Sequence, residues 1–361
     1  MIDELTPRHC HDNTTGTMFF EYLATELVTQ IFLSLPTVDS VIALASSCHR
    51  FNNISKSSRR LLILGQAAEA QYGPLRDATQ LVTHNASQPA HVVRDAPLSE
   101  ALLRQIVRVG RVAAKWENTY PYKKWREDED FLYRRELCDE ERYRLRRALY
   151  RLWLFSKAFH NSDQRRNLRN ISETTYRRAA LLHNFSAVEL AEMLDVHNIL
   201  RNMVSNNICP SNGTIRRKSS KRFPDSNHQL LFNIHLNYPP PSSFALETHY
   251  HSSPYMASKF HNKYQPSRLH EPGAEGWGDD IGHYYVVEDM MKLDPEQILW
   301  LKEHAPYKGQ VEAYVRGLGE WFENNGETFV QTLQFVMQQR GGDVEELKAA
   351  VKNCELGVAL E

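Results

Sequence analysis

Apolar residues recur at helical spacing along most of this chain, and the densest such stretch runs over residues 20–64. Leu23, Leu27, Ile31 and Leu35 stand four apart, with Val28 and Phe32 beside them. That is the stripe of an amphipathic helix. Thr25 and Glu26 fall in its first turn, where a carboxylate faces the positive end of the helix dipole. Pro36 ends the helix at Leu35, because the residue before a proline is pushed out of the α region. Thr37 or Asp39 offers a cap for a second helix. Val41, Ile42, Leu44, Ala45 and Cys48 form its apolar set, and His49, Arg50 and Phe51 close it.

Further helices follow. Residues 67–73 continue one as far as Gly73-Pro74, a strong stop, and 83–97 reads as a loop. Leu98–Trp116 is the next helix, broken by Tyr120-Pro121-Tyr122. Residues 139–160 place Asp139, Glu140 and Glu141 ahead of a row of arginines, the order the dipole favours. Tyr143, Leu145, Ala148, Leu149, Leu152, Trp153 and Phe155 give it a broad apolar face. Ser172–Leu182 and Ser186–Met203 are two more, the second opening with a capping box at Ser186 and Glu189. Toward the C-terminus the pattern places helices at Pro295–His304, Tyr307–Asn324, Phe329–Gln339 and Val344–Val351. Strand-type alternation is scarce. The expected class is mainly α: a helical N-terminal motif, then an irregular all-helical body with long loops. The division read from the pattern is a loose tail at 1–18, the motif at 19–66 and a helical region at 67–205. A loop-rich segment at 206–285 and a C-terminal helical region at 286–361, packing on 67–205, complete it.

Two short helices joined at a proline do not bury all their apolar surface, and roughly 45 residues is near the size at which a lone core needs help. The order of residues in this stretch is also specific. Leu23-x-x-Glu26-Leu27-x-x-x-Ile31-Phe32-x-x-Leu35-Pro36 is followed by Val41-x-x-Leu44-Ala45-x-x-Cys48-x-Arg50-Phe51. This resembles the F-box motif, in the form found in fungal F-box proteins; where the family has Leu-Pro at the start, this chain has Leu23-Ala24. The resemblance implies a non-catalytic subunit that docks on the Skp-type adaptor of a Skp–cullin–F-box ubiquitin ligase. It implies an adaptor-binding set drawn from Leu23, Leu27, Ile31, Phe32, Leu35, Pro36, Val41 and Leu44, shared between the interface and the motif's own packing. Through the adaptor the partner would be a cullin, and the remainder of the chain would hold a protein substrate that the sequence does not name. No fixed-period repeat runs through that remainder.

Composition changes this picture little. Net charge is −1 over 361 residues, which points away from nucleic acid as a partner. Five cysteines at wide spacing, with no C-x-x-C, read as reduced thiols. The first residues lack a basic and apolar leader pattern, and no apolar run approaches the ~20 residues of a membrane span. The expectation is therefore cytoplasm or nucleus. Charge is uneven: 104–183 carries 20 Lys/Arg against 11 Asp/Glu, and 271–361 carries 7 against 18. Mutual packing of these stretches through ion pairs is one reading, and a charged docking surface the other.

Candidate chemistry is sparse. None of the common nucleophile, metalloprotease, phosphate-loop or dinucleotide motifs occurs, so no enzyme and no cofactor are expected. His228, His235, His249, His251, His261, His270 and His283 cluster in the loop-rich segment, but without zinc-site spacing. Adjacent Asp279 and Asp280 read as a cap or a solvated pair. The basic run Arg216, Arg217, Lys218, Ser219, Ser220, Lys221 and Arg222 has the composition of a nuclear-import signal. Arginine three residues ahead of each serine also suits a basophilic kinase, whose phosphate would reverse the local charge. Two alternatives stand beside the ligase reading. One is a helical nucleic-acid-binding protein using the arginines of 134–178, against which the interspersed acids argue. The other is a protein that joins the adaptor alone, outside any ligase.

Overall fold

The computed structural model describes residues 23–85, 87–125, 135–161, 171–215, 276–278, 280–305, 308–319, 322 and 326–360. Helix accounts for 73% of them, and no strand occurs among them. The chain divides into two compact units. The first holds residues up to Gly73 together with Pro97–Val107, and the second holds Pro74–Ala96 and everything from Arg108 onward.

The first unit contains α1 (Thr25–Ser34), α2 (Val38–Ser47), α3 (His49–Ser55), α4 (Arg60–Tyr72) and the start of α6 (Glu100–Lys124). α1 ends at Leu35, which is extended ahead of Pro36. Thr37 caps α2, its hydroxyl accepting from the Ser40 N–H at 3.0 Å. Instead of closing α2, His49, Arg50 and Phe51 begin a separate helix. Cys48 is fully extended, and its Sγ accepts from the Phe51 N–H at 3.4 Å. Val28, Phe32, Val41, Phe51, Ile54, Ile63 and Ala67 make the interior. Gly65 lies against Leu98, where a Cβ would come within 2.7 Å of Cδ2. The 97–107 segment thus belongs to this core although it is distant in sequence.

The second unit is built on the pairing of α7 (Asp139–Phe159) with α9 (Ala187–Met203). α5 (Leu75–Thr83) packs on α7, and α8 (Ser172–Leu182) on α13 (Phe329–Gln339). α9 runs into a π-helical turn at Val204–Ile208. α10 (Asp280–Met290), α11 (Pro295–His304), α12 (Lys308–Gly317) and α14 (Val344–Lys352) complete it. Both α11 and α14 pack on α9. α9 is buried on nearly all sides, with Glu192, Asp195 and His197 inside as well as its apolar residues. Such charges are retained inside only when paired. Asp195 receives the Tyr120 hydroxyl at 2.5 Å, the Lys124 ammonium at 2.9 Å and the Val358 N–H at 3.0 Å. The C-terminal turn is therefore tied to the middle of α9. Burial, then the Asp195 charge, pushes the Tyr120 hydroxyl's pKa far up, so it stays a donor.

Three further sequence expectations are corrected. Pro121 does not break its helix; α6 continues to Lys124. Only one N–H is lost there, and the buried rings of Tyr120 and Trp125, 6.4 Å apart and edge to face, hold the last turn. The expected helix at 307–324 stops at Gly317, ahead of Gly319 with φ +95°. Tyr143, placed on the apolar face of α7, is exposed, with the Arg147 guanidinium 5.9 Å from its ring.

Candidate functional site

The residues singled out by the F-box resemblance separate into three groups on the first unit. Phe32 and Val41 are interior; Phe32 is fully buried, its ring edge to face with Phe51 at 6.4 Å. Leu27 is 53% exposed, and Pro36 is also at the surface. Leu23, Ile31, Leu35 and Leu44 are half-buried. The reason lies in helical geometry. Residues four apart drift by about 40° per step on a 3.6-residue helix, so one stripe has a core edge and a solvent edge. Val28 and Phe32 take the core edge of α1, and Leu27 takes the other.

Two more large apolar side chains stay exposed in this unit: Ile42 at 53% and Leu62 at 58%. Ile42 was expected inside. It neighbours Val41, which takes the inward position, and consecutive residues on a helix do not share a face. Leu62 was not among the candidates. Its signal was the run Leu61-Leu62-Ile63-Leu64, because four successive apolar residues cover all sides of a helix and cannot all face one core. Of the four, Ile63 is the buried one.

Polar bonds set the helices that carry these side chains. The Gln71 side chain of α4 accepts from the Val38 N–H at 3.0 Å, which satisfies one of the orphan donors at the start of α2. The Arg50 guanidinium donates to the Leu23 carbonyl. Arg50 thereby anchors the start of α1, where Ala24 supplies neither a side-chain cap nor a proline ring. Arg60 pairs with Glu100 at 2.7 Å.

The other sequence candidates fall elsewhere. Arg216, Arg217, Lys218, Ser219, Ser220, Lys221 and Arg222 lie outside the described residues, as do His228, His235, His249, His251, His261, His270 and Asp279. His283 is described, and its Nε2 is 2.7 Å from the Cys209 carbonyl. Among the described residues no group of three His, Cys, Asp or Glu is placed to hold a metal ion. None of the described helices is long and apolar enough to cross a membrane.

Arg142, Arg146, Arg147 and Arg151 of α7 are engaged with carboxylates. Arg147 meets Glu192 at 2.5 Å, Arg151 meets Asp77 at 2.6 Å and Glu189 at 2.8 Å, and Arg146 meets Glu117 at 3.4 Å. Burial raises the pKa of Glu192, while the Arg147 contacts oppose that rise. Only part of the basic stretch answers the acidic C-terminal one, through Arg108–Glu296 at 3.0 Å and Lys115–Glu303 at 3.0 Å. Comparison of the chain with protein-family models, with curated proteins and with solved structures gave no match.

Proposed function

We propose that the first unit is an F-box-type docking module for a Skp-type adaptor. In this reading the protein is a non-catalytic substrate receptor of a Skp–cullin–F-box ubiquitin ligase. The observation that carries the reading is the split within one short motif. Val28, Phe32, Val41 and Phe51 close a small core while Leu27, Ile42 and Leu62 remain exposed on three of its helices. Docking into an adaptor groove would use apolar side chains of this kind, left over after the module's own packing. The receptor does no chemistry; it raises the local concentration of a substrate near the ubiquitin carrier. The substrate is a protein held by the remainder of the chain.

The test uses the exposed set, because truncating Phe32 damages the core and any loss of binding would then be ambiguous. Leu27→Ala, Ile42→Ala and Leu62→Ala leave the interior intact. An interface hot spot is worth about 2 kcal/mol or more, so at least one variant binds the purified adaptor about thirtyfold more weakly, with unchanged helicity. A wild-type chain that ignores micromolar adaptor, or three variants that all bind like wild type, rules the reading out. Co-purification of cullin along with the adaptor separates a ligase subunit from an adaptor-only protein.

A further inference from the structure

Within the second unit the loop after α5, the C-terminal end of α7 and α8 border a half-open cavity of about 750 Å³. That volume lies in the range of small-ligand sites, roughly 300–1,000 Å³. The charged groups that line it are Lys157 and Arg177, beside the imidazoles of His84 and His91, with no Asp or Glu among the described residues that line it. Phe159 and Pro89 add an apolar wall. We propose that this cavity binds a phosphate monoester, the dianion against Lys157 and Arg177 with the imidazoles as further polar contacts, and an organic body against the apolar wall.

Three observations support the assignment. First, positive charge is crowded at this wall, where Lys157 and Arg94 act on each other and on the His84 ring. The His84 imidazole is held below its usual pKa by burial and then by the charges of Lys157 and Arg94. Lys157 is held down by burial and then by Arg94, with Asp294 the one counter-charge pulling the other way. Like charges gathered in a partly desolvated place favour an anion between them. Second, the loop bearing His84 and His91 is fixed. The Arg94 guanidinium donates to the Thr83 carbonyl and to Asn85 Oδ1, Asn184 donates to the His91 carbonyl at 2.7 Å, and Gln80 donates to the Ala90 carbonyl at 2.9 Å. The site is thus largely preformed. Third, the present engagements of the two strongest cations are light. Arg177 pairs with Glu173 one turn away on the exposed side of α8, a contact worth only a few tenths of a kcal/mol. Lys157 donates one bond, to the Leu81 carbonyl at 3.2 Å, and an ammonium has three to give. A phosphate monoester carries about −1.5 to −2 charges near neutral pH and three acceptor oxygens, which suits several convergent donors better than a carboxylate does.

The same phosphoryl chemistry is found on free metabolites and on phosphorylated side chains, so two probes are used on the full chain. Isothermal titration is run with phenyl phosphate and, separately, with a short phosphoserine peptide; benzyl alcohol is the neutral control. Binding of either phosphate, with none of the alcohol, is expected. The tighter probe tells a small-molecule site from a peptide site. Lys157→Gln keeps a donor for the Leu81 carbonyl, and Arg177→Gln changes an exposed position, so both are expected to fold, as circular dichroism will check. Each should weaken the phosphate about tenfold. The proposal fails if neither probe binds below about 1 mM, if both variants bind like wild type, or if the neutral alcohol binds equally well.

Discussion

At the residue scale, the second unit depends on a few polar groups that a hydrophobic pattern does not flag. Gly357 has φ +124°, and a Cβ there would lie 2.8 Å from Asp195 Oδ2. Both the backbone conformation and the close approach require glycine. Gly357→Ala is expected to lower stability by about 1–3 kcal/mol, read as a lower denaturant midpoint. His197 is fully buried beside Phe329, with ring centroids 5.2 Å apart. Burial first, and the Arg201 charge second, press its pKa down to about 4 from an ordinary 6.5. The unfolded chain takes up a proton at pH 6.5 and the folded chain does not until about 4. Stability from this group is therefore complete above that window and is lost as pH falls through it, by at most about 1.4 kcal/mol per pH unit. Asp294 and Glu312 act in the opposite sense, because burial raises them to about 6 and about 7. Their carboxyls favour the folded state as pH drops. Only the difference between wild type and His197→Gln isolates the histidine. Chemical denaturation at several pH values should give the variant a shallower acid-side loss, and identical slopes would show that His197 does not titrate in this way.

At the element scale, α1 has a core edge and a solvent edge, and the two respond differently to truncation. Phe32→Ala removes a fully buried ring from between α1 and α3 and should cost about 3–5 kcal/mol. Leu27→Ala, from a side chain already more than half exposed, should stay within about 0.5 kcal/mol. Thermal melts of the two variants check the contrast, and equal losses would mean that the assigned faces of α1 are wrong. Helix ends were the best read elements because their chemistry is local. Pro36, the Ser186–Glu189 capping box and Asp294-Pro295 all act within four residues, and each helix begins or stops there. Pro121 misled because its effect is decided by the surroundings. In a turn held by Tyr120 and Trp125 the missing N–H costs one bond and does not end the helix.

At the scale of the whole molecule, the first unit is discontinuous in sequence. It extends past the motif, through α4 to Gly73, and takes in 97–107. That distant segment lies close against Gly65 at Leu98 and pairs with Arg60 through Glu100, and its Leu102, Leu103 and Ile106 are buried. A fragment ending at residue 73 should therefore be less helical and melt at a lower temperature than one ending at residue 107, as followed by circular dichroism. Equal melting would mean that 97–107 contributes nothing to this core. The charge asymmetry along the chain also resolves only at this scale. Arg146, Arg147 and Arg151 of α7 find their carboxylates at Asp77, Glu117, Glu189 and Glu192, while the acidic C-terminal stretch supplies Glu296 and Glu303 to α6.

By itself the sequence determined the mainly helical class, most helix boundaries and the residues of the N-terminal motif. Those follow from spacing, capping and proline chemistry, which are properties of a few neighbouring residues. Tertiary structure decided which side of each apolar stripe is used. Leu27 and Val28 are adjacent, equally apolar and equally helical, yet one is exposed and the other has no exposed surface. That choice depends on where α3 and α4 lie, and no local pattern encodes it. The same holds for the cavity beside α7. His84, His91, Lys157 and Arg177 are spread over nearly a hundred residues, with nothing in their spacing to join them. Only the packing of α5 on α7, and of α7 with α8, brings the four side chains to one wall.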